Sequence, residues 1–212
     1  KGAYCACLVI VTLGLLIFTA FSTMVETLQT SQQSFYENQN FADGFARVQA
    51  IPKDALKSLE DIEGINEIQG RLVKEVLVYS PESEENIYLR LISVEPEIHN
   101  PINEPLLKKG SPLEGDVLNA WVDNKFFEAH NYSLNDEIEI IASGKKHKLL
   151  ISGVASSPEF VYALRTEADM FPSPETFGIA FMTLKGMEKI FPAQRTYNDI
   201  VFTLEPGEDF EK

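Results

Sequence analysis

Histidine, cysteine and tryptophan are scarce in this 212-residue chain, which holds three, two and one of them. His99, His130 and His147 lie far apart, and none falls in an HExxH or comparable ligand spacing. Each therefore reads as an isolated surface histidine, and no metal ligand is assigned. Cys5 and Cys7 are two residues apart in an apolar run, a spacing at which helical side chains do not face each other. The rest of the chain must fold without a disulfide, which a domain of about 185 residues can do because its core is large enough. Catalytic signatures are missing too. The serines of ISGVASS match no nucleophile elbow, and SPLE between Gly110 and Gly115 is followed by no Lys-Ser/Thr pair. Asn131-Tyr132-Ser133 fits a glycosylation sequon, which matters only in a eukaryotic secretory setting. The expectation is a protein with no active site and no cofactor.

Positive charge is also in short supply. Against 32 acidic residues stand 18 basic ones, a net charge of −14 with histidines neutral. That balance argues against nucleic acid and against docking on anionic lipid surfaces. Most carboxylates alternate with apolar residues and read as solvated faces.

What is abundant is apolar sequence at the beginning. From Gly2 to Val25 no residue is charged. As a helix this stretch is about 36 Å long, enough for a hydrocarbon core of about 30 Å. A cleaved signal peptide is disfavoured because the run exceeds the usual h-region and no small-x-small site follows. A buried helix of a soluble protein is disfavoured because no charged residue breaks the run. The segment 1–25 is thus expected to cross a membrane. The acidic remainder has no basic cluster beside the helix, which favours an extracytoplasmic side for everything after about residue 26.

Residues 26–40 (ETLQTSQQSFYENQN) contain neither Gly nor Pro and most simply continue the helix as a polar stalk. Leu28, Ser31 and Phe35 lie near helical spacing and form a stripe that either contacts a partner or is merely solvated. Beyond it, Phe41–Ile51 reads as a strand. Pro52 then starts a helix with Ala55, Leu56, Leu59 and Ile62 on one face, and Gly64 ends it. Ile65–Tyr79 reads as extended chain, and in Ile87–Val94 the residues Ile87, Leu89 and Leu91 alternate with Tyr88 and Arg90. His99–Gly115, with three prolines, reads as loop. Further on come a strand at Val117–Val122, a helix at Asn124–His130, a strand at Glu137–Ala142 and, after a turn at SGKKH, a strand at Lys148–Ala155. Pro158, Pro172 and Pro174 mark a long irregular connection. Strand, helix and strand follow at Phe177–Leu184, Lys185–Phe191 and Asn198–Leu204, and Gly207–Lys212 is read as opening another helix. The fold class is α+β: two β-α-β units bracketing a β-rich insertion.

Four segments, in this order, resemble the FtsX-like or MacB-type permease family of ABC transporters, at its first membrane helix and first extracytoplasmic domain. They are NFADGFARVQAIPKDALKSLEDIEGINEIQGRLV, LLKKGSPLEGD, WVDNKFFEAHNYSLNDEIEI and ISGVASSPEFVYAL. The resemblance implies a porter-like pair of β-α-β units, split here into 41–98 and 177–212, around an insertion subdomain at 99–176. It further implies a permease homodimer or heterodimer and a separate cytoplasmic ABC ATPase, whose work the stalk transmits (mechanotransmission). Such proteins act on lipoproteins, lipids, peptides or cell-wall hydrolases, or export small molecules. The family's permeases have at least four membrane segments, so this chain is expected to be a fragment of a multi-pass protein. The string Ser157, Pro158, Glu159, Phe160, Val161 and Tyr162 is the candidate interaction loop, with packing between the two units as the competing reading. A stand-alone membrane-anchored sensor or binding module is the alternative for the whole chain.

Overall fold

The computed structural model describes residues 2–115, 117–166, 168–192 and 196–207. The chain divides into two compact units, 1–38 and 39–212. The first is one uninterrupted helix, α1 (Gly2–Asn38), so no break separates the apolar run from the polar stalk. Two of its polar side chains within the apolar part are satisfied locally. Thr12 and Thr19 donate their hydroxyls to the carbonyls of Leu8 and Leu15, four residues back. No unpaired hydroxyl is then left at these two positions. Cys5 and Cys7 are exposed and unbonded.

The second unit begins with β1 (Gly44–Pro52), a single helical turn α2 (Lys53–Leu56) and β2 (Ile65–Arg71). The expected helix after Pro52 survives only as this turn. Beyond it the chain winds on through i→i−3 hydrogen bonds as far as Ile62, and Gly64 takes a positive φ of 88° at the stop. Next come β3 (Val73–Val78), β4 (Ile87–Val94), β5 (Leu106–Gly110) and β6 (Asn119–Asp123). They are followed by α3 (Asn124–Ala129), β7 (Glu137–Ala142), β8 (Lys145–Ser156), β9 (Phe177–Thr183), α4 (Leu184–Ile190) and β10 (Thr196–Leu204). β5 falls inside the proline-containing segment read as loop. The expected helix opening at Gly207 lies, apart from that residue, outside the described residues.

Two sheets result. One is antiparallel, in the order β1-β10-β2. The other has the order β5-β8-β6-β9-β4-β3-β7, and β7 also pairs with β8. That last ladder closes six strands into a barrel, with β5 attached to β8 outside the ring. Alternation decides what faces inward. Val76, Leu89, Leu91, Val122, Ile138, Ile140, Leu149, Ile151 and Met182 form the barrel core, while Tyr88, Arg90, Glu137 and Glu139 point out. The α+β class stands.

The finer layout differs from the expectation. Strands from 41–98, 99–176 and 177–212 alternate around one sheet, with β9 between β6 and β4, so the insertion does not form a sheet of its own. The second β-α-β unit is likewise divided: β9 and α4 belong to the barrel, but β10 lies between β1 and β2. Long-range pairing causes both differences: β4 and β9, about ninety residues apart, run parallel and in register from Tyr88↔Phe177 to Val94↔Thr183, and β10 pairs with both β1 and β2. Of the histidines, His130 and His147 are half-buried rather than on the surface. The Nε2 of each is buried without a hydrogen-bond partner. His130 packs 4.3 Å from the Phe126 ring and 5.5 Å from that of Tyr132, and burial pulls its pKa below the ordinary value.

Candidate functional site

Between the end of β8 and the start of β9, residues 157–176 form no regular element among those described. Prolines 158, 172 and 174 lack the amide hydrogen a strand would need. The segment nevertheless lies flat, as a strap across the outer face of the barrel. Arg90 Nη2 on β4 donates to the Arg165 carbonyl at 2.7 Å, and Arg165 Nε donates to Glu75 Oε1 on β3 at 2.9 Å. The Arg165 guanidinium also sits 3.4 Å from the centre of the Tyr88 ring. Beneath the strap is a second core of Ile92, Leu113, Ala155, Ala163, Phe177, Ile179 and Phe181, against which Phe160 packs.

The six-residue string Ser157–Tyr162 divides into two halves. Ser157 and Pro158 are buried, and the Ser157 carbonyl accepts from Phe160 N at 3.3 Å. Phe160 is half-buried on the second core. Val161 and Tyr162 face solvent, Tyr162 at 70% exposure, with Lys125 Nζ 5.1 Å from its ring centre. Lys125 Nζ also donates to the Val161 carbonyl at 3.0 Å.

Glu159 has a different task. It meets Arg71, the last residue of β2, through Oε2 to Nη1 at 2.6 Å and Oε1 to Nη2 at 3.2 Å. The other side of the same guanidinium is held by Asp199 Oδ2 of β10, which accepts from Nε at 2.8 Å and from Nη2 at 2.5 Å. Arg71 and Asp199 are only 5% and 7% exposed. Burial by itself would lower the Arg71 pKa, but Glu159 and then Asp199 outweigh it and raise the value. Asn103 extends the network, donating from Nδ2 to Glu159 Oε2 at 3.1 Å and accepting Ala42 N at 2.8 Å. Asn198 stitches β10 to β3, with Oδ1 accepting from Val73 N and Nδ2 donating to Val73 O. Strap, small sheet and barrel therefore meet at one buried polar cluster. Sequence reasoning placed Glu159 in the loop but missed Arg71 and Asp199, because nothing local marks two residues 128 positions apart as partners.

Above the cluster opens a cleft of about 330 Å³, lined by Arg47, Val48, Val73, Glu75, Arg90 and Phe160 as well as by the cluster itself. Farther along the strap, Met170 and Phe171 are 84% and 77% exposed, and Phe171 borders a hollow of about 360 Å³ with Tyr88 and Arg165. Two large apolar residues beside Pro172 in an irregular segment were a readable signal for such a projecting tip. In the helix unit, Leu28 and Ser31 are exposed, whereas Phe35 is half-buried with its ring 6.4 Å from that of Tyr36. Among the described residues no group of three His, Cys, Asp or Glu side chains comes together as a metal site.

No family model matches the chain, and no curated protein matches its sequence. Among solved structures it is similar to the extracellular domain of the noncanonic ABC-type transporter YknZ from Gram-positive bacteria. The identity is 12% and the TM-score 0.46, over 74% of this chain and 75% of the other. It is similar also to the periplasmic region of MacB from Actinobacillus actinomycetemcomitans, at 11% identity and a TM-score of 0.45, over 77% and 69% of the two chains. A domain assigned to a permease protein of Porphyromonas gingivalis overlaps at 11% identity and a TM-score of 0.41, over 71% and 61%. These neighbours are of the kind that the sequence resembles. At TM-scores below 0.5 they are similarities and carry no assignment of activity.

Proposed function

We propose that this chain is the first membrane helix and extracytoplasmic domain of a MacB-type ABC transporter permease, and that it performs no chemistry of its own. One observation carries the reading: α1 continues without interruption from its apolar part into its polar part. A 37-residue helix is about 55 Å long, so roughly 20 Å projects beyond a hydrocarbon core and its border. An unbroken helix transmits displacement, and a flexible linker does not. In this reading the helix is the stalk, with Leu28, Ser31 and Phe35 on the side that meets a neighbouring helix. The domain, porter-like by its resemblance, lies outside the cytoplasm and acts on a lipid, lipoprotein, peptide or cell-wall hydrolase. A cytoplasmic ABC ATPase and a second permease copy complete the machine.

The test uses the complete native protein purified from its own membrane. An ABC ATPase is expected to copurify in stoichiometric amount and to hydrolyse ATP. Ser31→Pro removes a helical hydrogen bond in mid-stalk. It is expected to leave hydrolysis in place while abolishing the extracytoplasmic response. Absence of any ATPase from the purified protein would replace this reading with an anchored sensor or binding module.

A further inference from the structure

The chain contains five arginines, and three of them, Arg47, Arg71 and Arg90, line the cleft between the small sheet and the barrel, while Arg165 holds the cleft's Glu75 from the strap. In a protein with a net charge of −14 this concentration is uneven, and its pairing is uneven too. Arg71 is saturated by Glu159 and Asp199. Arg165 takes Glu75 at 2.9 Å, leaving Arg90 with that same carboxylate only at 3.5 Å. Arg47 stands directly across the strands from Asp199, in the same row as Arg71, since Asp199 pairs with both. Asp199 nevertheless gives its contacts to Arg71, and Arg47 forms no ion pair with any described residue. Arg47 and Arg90 thus face one cleft with less than one carboxylate between them.

We propose that the cleft binds one carboxylate, carried on an apolar group, between Arg47 and Arg90. The chemistry of the lining selects this class of ligand. Glu75 is taken by Arg165, and Glu159 and Asp199 are taken by Arg71, so neither Arg47 nor Arg90 has a closely paired carboxylate of its own. A phosphate dianion brings a second negative charge toward the three carboxylates of the lining. A guanidinium fork matches a planar carboxylate in two parallel hydrogen bonds. Val48, Val73 and Phe160 supply an apolar wall, and about 330 Å³ suits the end of a short peptide rather than a large cofactor. Burial, and to a lesser degree repulsion from Arg47, hold the Arg90 pKa below its ordinary value, and such an occupant relieves the repulsion. The inference stands on the geometry of the domain and does not need the permease reading.

The experiment titrates the full chain in detergent micelles with N-acetyl-leucyl-phenylalanine bearing a free carboxylate. Its C-terminal amide and inorganic phosphate are titrated separately, and the arginine Nε–H resonances are followed by NMR. The acid is expected to bind about tenfold or more tightly than the amide, the range of a charge-assisted pair. Arg47→Glu is expected to remove that preference, whereas Arg47→Lys keeps part of it. Arg47 is exposed and anchors no neighbour, so the melting temperature is expected to stay unchanged in both variants. Equal binding of acid and amide, no binding of either through the millimolar range, or indifference to Arg47→Glu each overturns the proposal. Phosphate binding more tightly than the acid overturns the choice of ligand class.

Discussion

Arg71 shows how one residue can hold a domain together without adding to its apolar core. It ends β2, yet its guanidinium is divided between β10 and the strap, and through Asn103 the network reaches Ala42. A buried ion pair is weak evidence for net stability, but removing one partner strands the others in low dielectric. Glu159→Gln is therefore expected to lower unfolding free energy by about 3 kcal/mol, within the range found for breaking such pairs. Val161→Ser and Tyr162→Ser, two and three positions along, are expected to change it by less than about 0.5 kcal/mol. Urea denaturation of the three variants checks the contrast. A similar loss in all three would mean that the outer half of the string is as structural as the inner half. The charge of Glu159 was legible in the sequence, but not its destination, because pattern reading sees neighbours along the chain and an ion pair depends on the fold.

Elements were easier to read than their pairing. β4 and β7 fall on the expected bounds, helped by the alternation of residues through Ile87–Leu91 and Glu137–Ile140. By contrast, Ile65–Tyr79 reads as one extended run, yet at Leu72 it leaves the small sheet and enters the barrel. Neither Gly nor Pro stands at the change itself, because Gly70 lies inside β2. Leu72 accomplishes it while buried, donating its amide to Ser93 Oγ and accepting from Ser93 N. β9 illustrates a further limit, because every one of its residues is buried and alternation says nothing about which face is which. Its second residue, Gly178, meets the ring of Phe126 on α3, and a Cβ there would lie 2.3 Å from ring carbons. α3 is fixed at the same place by Asp123, whose Oδ1 accepts Lys125 N and Phe126 N while Oδ2 accepts Ile179 N. The helix therefore cannot retreat freely. Gly178→Ala is expected to cost about 1–3 kcal/mol as overpacking. Combining it with Phe126→Leu is expected to cost less than the sum of the two single changes, because the smaller side chain makes room. Additivity in a double-mutant cycle would show that the helix shifts instead.

At the scale of the molecule, the interleaved sheet makes a statement about cooperativity. Had 99–176 been an autonomous insertion, its strands would pair among themselves and its loss would leave the remainder intact. Instead β9 is hydrogen-bonded to β6 from that segment on one side and to β4 on the other, while β7 joins β3 to β8. Removing the segment would open the barrel along two ladders, β6–β9 and β3–β7, and break the strap's contact with β4, exposing Leu89, Leu91 and Met182 to water. The small sheet is tied to the same fate, since Arg71 and Asp199 on it share charge with Glu159 of the strap. α1, held helical by lipid or detergent, has its backbone bonds within itself and stays outside this accounting. The domain is therefore expected to unfold in one calorimetric transition, with calorimetric and van't Hoff enthalpies equal. Glu159→Gln should move that single peak to lower temperature without splitting it. Two resolved peaks in the parent protein, one of them lost when 99–176 is excised, would restore the picture of a separate insertion subdomain.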